Sequence, residues 1–246
     1  MTKYLFTLGL VSCAAIAQAQ TRFAIGPVGA YTLSTGNFKS SDPFATFSTG
    51  YHSDFAVGVL AEVGFGHFAL QPSVQFVRKG FSQHAGYALS VQAQDLSRDG
   101  YTRFNYLSFP VNLAYTQQAS GQGFQVVAGA YLATLQGGDS NYFSGYNTTY
   151  ASFGQTESGT VVAADSYPFR PTTYNYYMRQ MDFGLQAGAG YRYQGLLVQA
   201  SYSLGLHDLA AAPPSASLNA RMYTQPDHYY NRGFQVSMAY LFGAKS

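Results

Sequence analysis

The sequence predicts an all-β fold, an eight-stranded antiparallel transmembrane β-barrel, and three observations predict it. Eight runs of about ten to fifteen residues alternate apolar with small or polar side chains. The connections between these runs are short, then long, then short again. An aromatic-rich run at residues 234–242 forms the last of the eight. Because neighbouring side chains on a strand point to opposite faces, each run can turn one face to lipid and the other to a lumen.

The first three predicted strands cover residues 22–33, 54–65 and 68 to about 79. The second shows the alternation most simply, with Asp54, Leu60 and Glu62 on the face opposite to the apolar one. Its predicted lipid-facing residues are Phe55, Val57, Val59, Ala61 and Val63. The third strand turns Lys79 toward the lumen, on the face opposite to Phe76.

The remaining predicted strands cover residues 103–116, 124–132, 181–192, 196–206 and 234–242. The sixth alternates most regularly, and it places Asp182 and Arg192 on the face toward the lumen. Its predicted lipid-facing residues are Met181, Phe183, Leu185, Ala187, Ala189 and Tyr191. Three predicted strands contain a proline, at Pro27, Pro72 and Pro110, and proline weakens a strand locally because it removes a ladder donor.

The connections fall into two classes by length. Short ones lie near residues 64–67, 117–123 and 194–195. Long ones cover about residues 34–52, 82–102, 136–177 and 208–229. Strict alternation puts every short turn at one end, and outer-membrane barrels have short periplasmic turns and long extracellular loops.

The N-terminus is typical of a secretory signal peptide. Lys3 precedes an apolar stretch at residues 4–16, and Ala17-Gln18-Ala19 is a small-residue cleavage site. We therefore expect a cleaved signal peptide at residues 1–19 and one barrel domain at residues 20–246. Residues 10–13, which end in the single cysteine Cys13, also fit a lipoprotein box, so lipidation of Cys13 is the alternative to cleavage after Ala19.

Composition favours a membrane barrel over a soluble sandwich, the alternative that the period alone leaves open. Charged residues make up 10% of the chain and aromatic residues 17%, while mean hydropathy is −0.08. Soluble domains usually carry about 25% charged residues. The formal net charge of +2 gives no basic field for nucleic acid.

Five segments of the chain resemble the PorT-like outer membrane β-barrel family that is common in Bacteroidota. They are FALQPSVQFVRKG at 68–80, YLSFPVNLAY at 106–115, DFGLQAGAGY at 182–191, YSLGLHDL at 202–209 and VSMAYLF at 236–242. The resemblance implies an eight-stranded barrel in the outer membrane of a Gram-negative bacterium, in a family whose members mostly have no assigned activity. It does not carry over a role in protein secretion, because one barrel fold serves many functions.

An eight-stranded barrel is just wide enough for its side chains to fill it, so charges inside it need partners. Depth along the strands pairs Glu62 with Arg192 near the periplasmic end and Lys79 with Asp182 nearer the extracellular end. We expect these pairs to plug the barrel, and the alternative is a narrow ion path through the same groups.

The sequence contains no pattern that indicates catalysis, a metal site or a cofactor. Its histidines show no HExxH spacing, and no serine lies in a Gly-x-Ser-x-Gly elbow. A rim enzyme would need a loop serine near His52, His84, His207 or His228, and His207-Asp208 is the best candidate pair.

The sequence thus predicts a non-enzymatic outer membrane protein whose long loops bind or shield something at the cell surface. The loops are rich in tyrosine, serine and asparagine, which suits surface contact and equally suits a solvated cover. The expected partners are outer membrane lipid, the barrel-assembly and periplasmic chaperone machinery during biogenesis, and an unknown surface partner. A rim-site lipid-modifying or hydrolytic enzyme and a narrow small-solute channel are the alternatives.

Overall fold

The computed structural model describes residues 21–39, 45–89, 94–147, 152–167, 175–212 and 228–243, which form ten β-strands. The predicted signal peptide and Cys13 lie outside the described residues. The strands are β1 Thr21–Lys39, β2 Ala45–Phe65, β3 Phe68–Leu89, β4 Gln94–Thr116, β5 Gly123–Asn147, β6 Ser152–Ala163, β7 Tyr176–Met178, β8 Met181–Tyr193, β9 Leu196–Gly205 and β10 His228–Tyr240. Within these ranges, no helix has the length and hydropathy to cross a membrane.

Eight of the strands close into a ring, as the sequence predicts. The antiparallel order is β1-β2-β3-β4-β5-β8-β9-β10, and β10 pairs again with β1. Closure leaves no free edge within the ring, so each backbone group at membrane depth can find a partner on a neighbouring strand. Pro27, Pro72 and Pro110 all lie within strands, opposite Val59, Val111 and Tyr131, and the β3–β4 ladder is interrupted directly after Pro72.

The first five strands are much longer than the alternation predicts. β3, β4 and β5 contain 22, 23 and 25 residues, whereas a membrane-spanning strand needs about 9–11. Most of the predicted loops at 34–52 and 82–102 are therefore paired strand, and residues 136–177 contain the end of β5 together with β6 and β7. The apolar alternation ends where the outer face leaves lipid, but the hydrogen-bonded ladder continues with polar residues because water can cover that face.

The extensions make the extracellular end uneven. β1 to β5 rise beyond the membrane as a wall, and β6 adds to this wall by pairing with residues 139–147 of β5. β8 and β9 add no such extension, since β8 begins at Met181 and β9 ends at Gly205. At the other end, two-residue turns join β2 to β3 and β8 to β9, and Gly66 takes the positive φ of 60° that favours glycine.

The outer face of the ring carries a continuous apolar belt. Val57, Leu113, Leu185 and Met238 lie on different strands, and each is between 50% and 57% exposed. An exposed apolar surface that encircles a protein marks contact with lipid rather than water. On the inner face, small, polar and aromatic side chains fill the lumen in layers, together with an aliphatic cluster that includes Val28, Leu60 and Leu197.

Candidate functional site

The floor of the lumen, near the short turns, is an ionic and amide network. Arg192 Nη1 donates to Glu62 Oε1 at 2.5 Å, and both side chains are at most 2% exposed. Gln71 donates to the other Glu62 oxygen at 2.9 Å, and Gln125 donates to Gln199 at 3.0 Å. The structure thus brings together the first predicted charge pair and satisfies both carboxylate oxygens of Glu62.

Above the floor lies a small cavity of about 50 Å³ with a mainly polar lining. Amides and hydroxyls on its wall bond to one another, as Gln186 does to Asn112 at 2.7 Å and Gln75 to Ser73 at 2.9 Å. A space of this size with several polar partners holds a few water molecules. It is too small for a drug-sized or sugar-sized ligand.

The second predicted charge pair meets above the cavity, where Lys79 Nζ lies 3.4 Å from Asp182 Oδ2. Asp182 is fully buried, and it also accepts hydrogen bonds from Asn231 at 2.8 Å and from Tyr131 at 3.3 Å. The Lys79 ammonium lies over the rings of Tyr131 and Tyr106, 4.5 and 5.6 Å from their centroids. One buried carboxylate therefore ties β3, β5, β8 and β10 together across the lumen.

An aromatic plug fills the lumen directly above this carboxylate. Phe81 packs against Phe104 and Tyr229 with ring centroids 5.6 and 5.5 Å apart, and Tyr176 lies 5.8 Å from Phe104. The buried members of the plug are Phe81, Phe104, Tyr106, Tyr131, Ala133, Leu135, Val161, Tyr176, Met178, Leu209 and Tyr229. Rings at these distances gain about 0.5–1.5 kcal/mol per pair beyond the apolar area that they bury.

Two of the plug residues come from a segment that folds back over the mouth. β7 lies parallel to β6 and buries Tyr176 and Met178, while the backbone N–H of Ala164 donates to the Met178 carbonyl at 2.8 Å. The Arg179 N–H donates to the Leu209 carbonyl at 2.9 Å, which fastens β7 to the connection after β9. The segment predicted as an extracellular loop therefore forms a fixed cap on the barrel.

The histidine pair expected for a rim enzyme is not formed. His207 packs against the lipid-facing Phe183 with ring centroids 5.1 Å apart. Asp208 instead pairs with His228, whose Nδ1 lies 2.6 Å from Oδ2. Adjacent residues on an extended chain point in opposite directions, so sequence adjacency does not bring His207 and Asp208 into contact.

Asp208 acts as an anchor for the cap. Burial favours a higher pKa for Asp208, but hydrogen bonds from the Tyr229 N–H, from His228 and from the Ala210 N–H lower it below its ordinary value on balance. The two N–H bonds are 3.0 and 3.1 Å long. This pattern holds a turn in place, and the carboxylate fixes the orientation of His228 through its Nδ1.

The inner side of the wall carries a second set of polar contacts. Arg98 lies 3.2 Å from Glu157, which joins β4 to β6, and its guanidinium covers the Tyr142 ring at 4.1 Å. Burial raises the pKa of Tyr142 to about 12, partly offset by its hydrogen bond with Thr102. The hydroxyl of Tyr142 therefore stays protonated and donates to Gln83 at 3.3 Å.

Sequence reasoning placed the four inward charges but missed the side chains that complete their site. Asn231, Tyr229 and Tyr176 lie in or next to segments predicted as loops, where no alternation was sought. The sequence did contain a signal for Tyr229 and Asn231. Every second residue before Gln235, at positions 233, 231 and 229, falls on the inward face of β10. For Tyr176 there was none, since β7 lies outside the ring.

The described residues hold no group of three or more metal-ligating side chains.

No curated protein matches the chain in sequence. Solved structures similar to it include OprG from Pseudomonas aeruginosa, with a TM-score of 0.40, 10% identity, and coverage of 90% of this chain and 96% of that chain. Ail of Yersinia pestis has a TM-score of 0.36 and 10% identity, over 90% and 99% of the two chains. Neisserial surface protein A has a TM-score of 0.34 and 13% identity, over 89% and 96%.

The model of one protein family, the outer membrane protein β-barrel domain, matches residues 17–211, which is most of the chain. That span runs from the predicted cleavage site to the connection after β9. The ring, the apolar belt and the family match agree on location, and the protein is an outer membrane β-barrel of a Gram-negative bacterium. The chain belongs to the outer membrane protein β-barrel domain family.

Proposed function

We propose that this barrel is a non-enzymatic surface protein whose extracellular wall binds or shields a partner. The observation that carries the proposal is the closed lumen: the aromatic plug and the cap fill the extracellular half, and paired charges fill the floor. A barrel closed in this way acts through its outer surfaces. We also infer a relation to PorT-like barrels, from the five sequence segments that resemble that family.

The hairpin of β5 and β6 is the part of the wall best suited to contact a partner. Phe143 and Phe153 are 52% and 66% exposed on this hairpin, well above the lipid belt. Large aromatic rings that water covers in the free protein are typical of protein interaction sites, because their burial in a complex releases that water. Their partner is unknown, and the barrel-assembly and periplasmic chaperone machinery remain the expected partners only during biogenesis.

The proposal is tested on intact cells by surface crosslinking of wild type and of a Phe143→Ser, Phe153→Ser double variant. We expect the double variant to lose its crosslinked partner while reaching the surface in equal amount. Tyr51→Ser is the matched control, since Tyr51 is an equally exposed aromatic residue on β2. Equal crosslinking by the double variant and the wild type would show that the hairpin is a solvated cover and not a contact site.

A rim enzyme is the second candidate function, and the observation that favours it is the exposed pair of His228 and Asp208. If this pair were catalytic, His228→Ala would abolish a lipid-modifying or hydrolytic phenotype of the wild type. We expect lipid profiles of outer membranes from the two strains to be identical. Loss of one modified lipid species in the variant would replace our proposal with the enzyme.

A further inference from the structure

We propose that three outward arginines at the extracellular margin of the lipid belt bind phosphate-bearing lipid headgroups of the outer leaflet. These margin arginines are Arg78 on β3, Arg103 on β4 and Arg232 on β10. Arg78 follows the lipid-facing Phe76 by two residues, and Arg232 precedes the lipid-facing Phe234 by two. Each therefore shares the outer face of its strand and stands one step above the belt.

Arg78 and Arg103 form one patch. Arg78 pairs in register with Asn105 and Arg103 with Gly80, so the two guanidiniums are diagonal neighbours on adjacent strands. The Arg78 guanidinium covers the Phe55 ring at 5.4 Å, and the Arg103 guanidinium covers Tyr101 at 4.9 Å. Stacking on these rings holds both guanidiniums against the outer surface, at the height where headgroups begin.

Donors on these side chains remain available for a ligand. Arg78 uses Nε for Asn105 at 3.0 Å, and among the described residues its terminal nitrogens have no hydrogen-bond partner. Arg232 has none at all among those residues, and its Nε is buried. A buried donor without a partner is unfavourable, and a bound oxyanion that accepts from it would remove that cost.

Two carboxylates, those of Asp54 and Asp139, lie close to the patch of Arg78 and Arg103. Among the described residues, no carboxylate pairs with Arg232. Asp139 binds Arg103 at 2.7 Å and fixes its position, while Asp54 lies 4.0 Å from Arg78 with a side chain that is only 6% exposed. His52 sits 3.5 Å from Asp54 and stacks on Tyr101. Arg232 thus has no counter-charge among the described residues, while Arg78 keeps its terminal nitrogens open beside the Asp54 carboxylate.

At the periplasmic margin of the lipid belt, by contrast, the arginine is not available to a ligand. Its cation, Arg22, is used by the protein itself, since its guanidinium donates to the backbone carbonyls of Ala119 and Gly66 in two turns. Free guanidinium groups therefore face the outer leaflet only, on the described part of the chain. Guanidinium matches the bidentate geometry of phosphate, and acyl chains lying along the belt would bring a phosphorylated headgroup to Arg78 and Arg232.

The test measures binding of the detergent-purified full mature chain to mixed micelles that contain a bisphosphorylated diglucosamine lipid. Each arginine near an anionic surface contributes about fivefold in affinity, so we expect Arg78→Gln and Arg232→Gln each to weaken binding by about that factor. Lys39→Gln is the matched control, because Lys39 is an exposed cation on β1 that stands eight positions beyond the belt residue Tyr31. It should bind like wild type.

Three further arms decide the ligand class. The wild type and both variants should all bind the dephosphorylated form of the same lipid with the same weak affinity. If the wild type bound the phosphorylated and dephosphorylated forms equally well, the proposal would be overturned. Displacement by inorganic phosphate, but not by chloride of matched ionic strength, would assign the site to free phosphate instead. Heat-modifiable gel migration confirms that each variant is folded, and unchanged binding by two folded variants would also refute the proposal.

Discussion

Among the described residues, Glu62, Arg192, Lys79 and Asp182 are held in the lumen as two charge pairs, and both carboxylates accept further hydrogen bonds. A buried ion pair with unsatisfied oxygens stabilises little, because desolvation offsets the attraction. Here Gln71 completes the Glu62 carboxylate, and Asn231 and Tyr131 complete that of Asp182. The pairs therefore act as crosslinks between distant strands, and loss of one partner leaves an uncompensated buried charge.

We expect Glu62→Gln to lower the free energy of unfolding by about 3–5 kcal/mol, because Arg192 is then buried without its counter-charge. The Glu62→Gln, Arg192→Met double variant should recover much of that loss, since it buries no charge. Urea unfolding in detergent micelles, followed by far-UV circular dichroism, measures both. Equal losses in the single and double variants would show that the pair is not coupled.

The Asp208 anchor gives the cap a pH dependence. The hydrogen bonds to Asp208 lower its pKa, so its stabilising effect is complete above the ordinary aspartate pKa of about 3.9 and is lost as the pH falls through the lowered value. We expect the Tyr229 and Ala210 amides to stay protected from hydrogen exchange from neutral pH down to about 4 and to lose protection below it.

In Asp208→Ala the same amides should exchange faster at every pH, by about fivefold, which corresponds to roughly 1 kcal/mol for a lost hydrogen bond. The ratio of wild-type to variant rates should approach one in strong acid. A ratio that does not depend on pH would show that the carboxylate charge does not hold the cap.

At the scale of elements, hydrogen bonding and lipid contact end at different heights on the same strand. The alternation of β2 with Phe55 and Val57 predicts the membrane-spanning part, but it stops near residue 54, whereas the strand begins at Ala45. Residues above the belt face water on the outside, so hydrophobicity no longer marks the strand and only the ladder does. This is why eight strands and four inward charges could be predicted from the sequence while the wall and cap could not.

A β-bulge in β2 shows how one element depends on another. Residues 52–55 oppose only residues 78–80 of β3, and this shift leaves backbone groups of β3 without ladder partners. Ser34 of β1 bridges the gap, since Gly80 N–H donates to its hydroxyl at 2.7 Å and the hydroxyl donates to the Gly80 carbonyl at 2.9 Å. Thr32 similarly donates to the Arg78 carbonyl at 3.1 Å.

We expect Ser34→Ala to lower the free energy of unfolding by about 1–3 kcal/mol, because the buried Gly80 N–H loses its acceptor. Ser53→Ala is the matched control, as Ser53 lies in the same bulge but is exposed, and it should change stability by less than about 0.5 kcal/mol. Urea titrations of the two variants compare them directly. Similar losses in both would mean that the serine hydroxyl does not support the bulge.

For the whole molecule, closure of the ring and closure of the lumen are separate properties with separate causes. The ring follows from strand alternation, which the sequence shows in eight separate runs. The closed lumen depends on Tyr176 and Met178 of β7, which reach the plug only because a segment outside the ring folds back. No period in the sequence marks that return, so the sequence alone leaves the plugged barrel and the narrow channel as alternatives.

Single-channel recording in planar bilayers tests the closed lumen most directly. The purified wild-type barrel should insert without producing conductance steps, because the plug, the Asp182 cluster and the floor block the lumen in series. A variant in which Phe81, Phe104 and Tyr229 are replaced by alanine, residues 160–178 are deleted, and both charge pairs are replaced by serine lacks all three blocks. It shows whether inserted protein can be detected, and it should give small, brief openings. Stable, uniform conductance steps from the wild type would contradict the account and make the protein a channel.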